Sequence, residues 1–142
     1  MRAPSMDIVE MINTATDSSD NAVGFDDLVF GTTLFIGKEP AKPINCVTIF
    51  DTSGSPPYLG LDTVGYEYPS IQIRVRNSSQ VNGWNILEEL KNLLHGKAQT
   101  LCDSNRTLYS VIYAVGSPAL LDWDDNGNCR FIINFNIQRR AV

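Results

Sequence analysis

Apolar residues recur along this chain in two rhythms, one helical and one alternating. Near the start, Ile8, Val9, Ile12 and Ala15 follow Pro4 and Ser5 at helical spacing. That spacing predicts a short amphipathic helix with Ser5 as its N-cap. Asp7 and Glu10 fall in its early turns, where the positive end of the helix dipole favours acids. A polar stretch, 17–21, ends it. Alternation then takes over: 32–36 and 46–50 read as strands joined by a proline-bearing turn, 38–43. In the next strand Ile71, Ile73 and Val75 point one way and Gln72, Arg74 and Arg76 the other, as a half-buried strand requires.

The helical rhythm returns over 81–95, where Trp84, Leu87, Leu90 and Leu94 share a face widened by Ile86 and Leu93. Ser78 or Ser79 is placed to cap that helix, and Gly96 sits where a left-handed C-cap is needed. The last third reads as strands at 108–115, 120–123 and 130–138. In the last of them Phe131, Ile133, Phe135 and Ile137 alternate with Ile132, Asn134, Asn136 and Gln138. Asp124-Asp125-Asn126-Gly127 between the final two is a hairpin-turn signal. Residues 51–69 carry glycine and proline turn signals with few periodic apolar positions, and so read as a long exposed loop. Asp51, Ser53, Gly54, Tyr58 and Tyr66 are its candidate assembly residues.

This order implies an α+β fold, a largely antiparallel or mixed β-sheet packed against two α-helices. With 142 residues, the chain is expected to form a single domain, 1–142, whose first 24 residues are an N-terminal helix and loop. The composition, 43% hydrophobic and 19% charged, is that of a globular protein. No apolar run reaches the length of a membrane span, and the acidic start lacks the apolar core of a signal peptide. Cys46, Cys102 and Cys129 are odd in number and widely spaced, fitting neither a disulfide framework nor a zinc site.

Charge adds a second layer. Sixteen acids and eleven bases leave a net −5, which argues against a dedicated nucleic-acid binder. Residues 1–67 hold ten acids against three bases, and residues 68–142 hold six against eight. Chance is one account of that asymmetry; complementary faces for head-to-tail self-association are the other.

Candidate chemistry is sparse. Asp51-Thr52-Ser53-Gly54-Ser55 after an apolar strand is similar to the loop of an aspartic protease, with Ala114-Val115-Gly116 as a possible partner segment. Ser53 interrupts the motif, however, and one copy could supply the two-carboxylate dyad only in a dimer. A simple turn is the plainer reading. Asp122 to Gly127 matches the first half of an EF-hand loop, but its twelfth position is Ile133 inside a strand, so a hairpin is expected instead of a calcium site. His95, the one histidine, lies in a last helical turn with no nucleophile in sequence proximity. No metal ligand set, cofactor motif or catalytic constellation is expected. Asn134, Asn136 and Gln138, continued by Arg140, form a polar ladder on one strand face. With Gln72, Arg74 and Arg76 they are candidates for a subunit interface or a channel lining, against the plainer alternative of a solvated sheet face.

Taken together, several blocks resemble the tail terminator family of tailed bacteriophages, whose members are often labelled minor capsid proteins. They are Gly31-Thr32-Thr33-Leu34-Phe35-Ile36-Gly37, then Val47 through Pro57, then Tyr68-Pro69-Ser70-Ile71-Gln72-Ile73-Arg74-Val75-Arg76, then the helix 81–95. The resemblance spans roughly 25–140. It implies a small structural subunit without catalytic residues, assembling as a ring, commonly a hexamer, on the head-proximal end of a completed tail tube. Such a ring stops tube polymerisation and presents the surface that joins the neck or head. The implied partners are other copies of the chain, the tail tube protein and a neck or head-completion protein. Genomic DNA would pass through the ring without sequence-specific binding, no membrane is involved, and the location is the virion, assembled in the bacterial cytoplasm. A net-acidic subunit suits a channel that DNA crosses without sticking. A head–tail connector of the neck is the alternative within the virion; a dimeric protease built on Asp51 and a monomeric binding module are the alternatives outside it.

Overall fold

Pro4 opens the first element, α1 (Pro4–Asn13), in a computed structural model that describes residues 1–14, 28–57 and 65–142. Proline at the first helical position forfeits an amide that has no intrahelical partner anyway. The cap is therefore Ala3, which offers no side-chain bond, and Ser5 lies inside the helix. The expectation of Ser5 as N-cap is corrected accordingly. Its backbone N–H and hydroxyl donate to Asp51 at 2.9 and 2.6 Å.

The strands follow as β1 (Leu34–Ile36), β2 (Cys46–Ser55) and β3 (Tyr66–Asn77), then α2 (Gln80–Leu94). After it come β4 (Ala98–Cys102), β5 (Thr107–Ala114), β6 (Ala119–Trp123) and β7 (Cys129–Ala141). They form one sheet in the order β1-β2-β3-β7-β5-β4, with β6 also paired to β7. Among the pairings of these strands, only β1–β2 is parallel. The α+β expectation, a single domain with a mixed sheet and two helices, holds.

Three boundaries differ from the sequence reading. β2 and β3 run past the apolar positions and pair Asp51 with Ile71, Thr52 with Ser70 and Ser55 with Tyr68. Of the long loop expected over 51–69, residues 51–55 and 66–69 are strand instead, because backbone pairing continues where side-chain alternation stops signalling it. Within it Tyr58 lies outside the described residues. Gly54 sits in the bulge of this extension, where a Cβ would stand 1.9 Å from the Tyr68 carbonyl oxygen. β4, which the periodicity did not predict, is an edge strand with alternation too weak to register. Its turn into β5 places Asp103, Ser104 and Asn105 at positive φ. Finally, β7 continues through Arg139 to Ala141.

Both helices cover one face of the sheet. Ile8 and Ile12 of α1 and Leu87, Leu90 and Leu94 of α2 bury against Val47, Ile49, Ile71, Ile73, Val75, Phe131, Ile133, Phe135 and Ile137. Ser79 caps α2 by accepting from the Asn82 N–H, and Gly96 takes a φ of 82° just past its end. Trp84 does not join the buried stripe. It stays 39% exposed at its margin, where its ring meets Phe131 edge-on with centroids 6.1 Å apart.

Candidate functional site

The sheet face away from the helices carries the polar ladder. Register fixes its members: Ser70 opposite Asn136, Gln72 opposite Asn134, Tyr113 opposite Asn136, and Leu108 opposite Arg140. These cross-strand neighbours bond to one another. Ser70 Oγ donates to Asn136 Oδ1 at 2.7 Å, Gln72 Nε2 to Asn134 Oδ1 at 3.2 Å, and Arg74 to Gln72 Oε1 at 3.3 Å. Arg74 also lies over the Phe50 ring, 4.9 Å from its centroid, while its Nε is buried without a hydrogen-bond partner among the described residues. A shallow cavity of about 330 Å³ lined by Ser55, Pro56, Tyr68, Tyr113, Asn136, Ile137 and Gln138 opens on this face. The result is a surface rich in hydrogen-bonding amides and aromatic rings that also carries Arg74 and Arg140.

Of the residues expected here, Gln72, Arg74, Asn134, Asn136, Gln138 and Arg140 share the face. Arg76 does not belong with them functionally. It is 6% exposed and donates to the carbonyls of Ile44, Pro40 and Pro43 at 2.9, 2.6 and 2.8 Å. The arginine expected at an interface or lumen instead clamps the turn between β1 and β2, because four converging carbonyls and Glu39 satisfy it there.

The proposed assembly loop also divides. Asp51 is tied to Ser5 of α1, Gly54 is needed by the close approach of β3, and Tyr66 pairs in register with Arg140. Ser53 is exposed on β2. Two strands, β3 and β7, separate Asp51 from the segment 114–116, so the protease reading finds no partner loop within the subunit. The EF-hand reading dissolves as well: Asp122 pairs with Arg130 at 3.2 Å, and Asp124 accepts from the backbone N–H groups of Asn126 and Asn128 at 2.9 and 2.8 Å. Those bonds hold the Asp124 carboxyl below the usual carboxylate range. His95 accepts from the Ala114 N–H at 2.9 Å and braces the end of α2 against β5.

One cluster escaped the sequence reading. Asp7, fully buried, meets Arg2, the Tyr109 hydroxyl and Arg139, and Arg139 reaches on to Glu67 at 3.1 Å. The signal was present: Arg139 continues the odd-numbered, core-facing phase of β7. Burial first, and then Asp7, push the Tyr109 hydroxyl well above its ordinary value. Asp7, Glu10 and Cys102 stand close enough to hold a cation, but Arg2 already bridges the two carboxylates. Some of the acids and bases behind the charge asymmetry meet within the molecule. Glu39 binds Arg130, and Asp7 and Glu67 bind Arg139, so acids of the first half neutralise bases of the second inside one subunit.

Fold and face together define a small α+β protein with a hydrogen-bonding sheet face. A family model described as bacteriophage tail terminator protein matches residues 12–140, and the chain belongs to that family. Among solved structures it is similar to a chain of the virion of a native gene transfer agent particle, with a TM-score of 0.66 and 12% identity. That match covers 97% of this chain and 95% of the other, and it shows a shared fold. No curated protein matches the sequence.

Proposed function

We propose that this protein is a non-enzymatic virion subunit that forms a ring, a hexamer, at the head-proximal end of the phage tail tube. There it stops tube polymerisation and offers the joining surface for the head or neck. The observation that carries this reading is the family match over nearly the whole chain. The shared fold with a virion chain of a gene transfer agent particle is consistent with it.

The partners are further copies of the chain, the tail tube protein and a neck or head-completion protein. The amide face of β3 and β7 is turned to the channel. Amides there offer hydrogen bonds without the dense positive field that would hold DNA. Electron microscopy of particles lacking the protein tests the function. Overlong tails are expected; tails of normal length that fail to join heads would overturn the terminator role in favour of a neck adaptor.

A further inference from the structure

Among the described residues the sheet ends in three outer edges, and they are not equivalent. The edge of β4 is blunted by Lys97 before it and by Gln99 within it, which adopts a φ of 50°. The edge of β6 carries no lysine and no left-handed residue, though its register shifts between Leu120 and Asp122. All five residues of β6 are exposed, Leu120, Leu121 and Trp123 by 45, 42 and 50%, and its single charge, Asp122, is held by Arg130. Val81 and Trp84 of α2 extend this apolar surface across a shallow groove floored by Phe131. At the opposite end of the sheet, beside β1, Val29 and Phe30 are 51 and 46% exposed.

Register sets these two ends at one height. Leu34, Val47, Val75, Phe131 and Leu120 form a single lateral row from β1 to β6. Charge matches as well. The turn after β6 carries Asp124 and Asp125, and the segment entering β2 at the same end of the sheet carries Lys42, exposed and without an ion pair to any described residue. Apolar surface thus has an apolar counterpart, and acid a base, on two different patches of the same chain.

The geometry points to a head-to-tail contact in which the β6 edge of one subunit, with Val81 and Trp84, docks on the Val29–Phe30 side of a second copy. Such a contact uses two unlike patches and repeats indefinitely unless it closes. Closure of that repetition into a ring is taken from the proposed function above. The proposal rests on the ring reading above and names the surfaces that build it.

Particles carrying Phe30→Cys/Leu121→Cys test the contact, since the three native thiols are buried. Mild oxidation is expected to link the double variant into species larger than a dimer, while either single variant stays monomeric. Dimers from Leu121→Cys alone would reveal a twofold contact and overturn the proposal. A double variant that enters particles yet stays monomeric would overturn it too, leaving the terminator role intact. Absence of the unsubstituted protein from purified particles would overturn that role itself, and the contact with it. A charge exchange gives the second measurement: Lys42→Glu is expected to lower incorporation severalfold and Lys42→Glu/Asp125→Lys to restore it. Failure of the rescue counts against the docking.

Discussion

Asp7 shows how much one side chain can hold. It is fully buried, yet it joins α1 to β5 through Tyr109 and to β7 through Arg139. Removing one partner of a buried pair strands the other charge away from water. Asp7→Ala is therefore expected to cost roughly 3–5 kcal/mol in urea unfolding, and Asp7→Asn less, because the amide keeps part of the hydrogen bonding. Asp124 acts at the surface, with its carboxyl held low by the Asn128 and Asn126 bonds. A lowered folded value means that its contribution is complete above the ordinary carboxylate range and fades as pH falls through the lowered one. Asp124→Asn should thus narrow the loss of stability on acidification below about pH 4, read from thermal midpoints across pH. The cysteines give a third check. Cys102 is buried, and burial, with Asp7 and Glu10 adding to it, pushes its thiol up to about 12. A thiol-specific colorimetric reagent at pH 8 should find none of the three thiols in the folded protein and all of them after unfolding.

Elements were legible in proportion to their periodicity. α2, with a strong rhythm and clear caps, came within a residue of its expected place, and the alternating cores of β3 and β7 lie inside the observed strands, which extend beyond them. β4 and the distal half of β2 were not legible, since what forms them is pairing to a neighbour and not a pattern of their own. Gly54 belongs to this second kind of information. Any side chain there meets the backbone of β3, with Pro69 Cα at 2.7 Å as well. Gly54→Ala should destabilise by about 1–3 kcal/mol, as forced overpacking does. Gly83→Ala in α2 is the contrasting case. Its Cβ would stand 3.1 Å from the Phe131 ring and 3.3 Å from Asn77 Cβ, contacts that a movement of a few tenths of an ångström relieves. The gain of about 1 kcal/mol in helix propensity offsets those contacts, so its unfolding midpoint should barely move.

At the scale of the molecule, the fold pairs some acids of the first half of the chain with bases of the second. Glu39, Asp7 and Glu67 each meet a base from the opposite half of the chain, leaving a sheet face of amides, rings and few charges. If that face lines a channel, its predominance of amides over cations is what lets DNA slide. Asn134→Lys/Asn136→Lys is accordingly expected to create salt-sensitive DNA binding in the assembled ring and to slow ejection, measured by retention of labelled DNA at rising salt. Unchanged retention would place the face away from DNA.

Alternation and helical spacing by themselves determined which faces of α2, β3 and β7 are apolar, because burial against a partner layer requires those periods whatever the topology. The same arithmetic marked Asn134, Asn136 and Gln138 as a shared polar face. Only the tertiary structure decided that Arg76 clamps a turn, that Arg139 and Asp7 meet in the core, and that β6 is left as an open apolar edge. Each of those outcomes depends on residues distant in the chain arriving at one place, and a local pattern carries no information about which distant strand will pair with it.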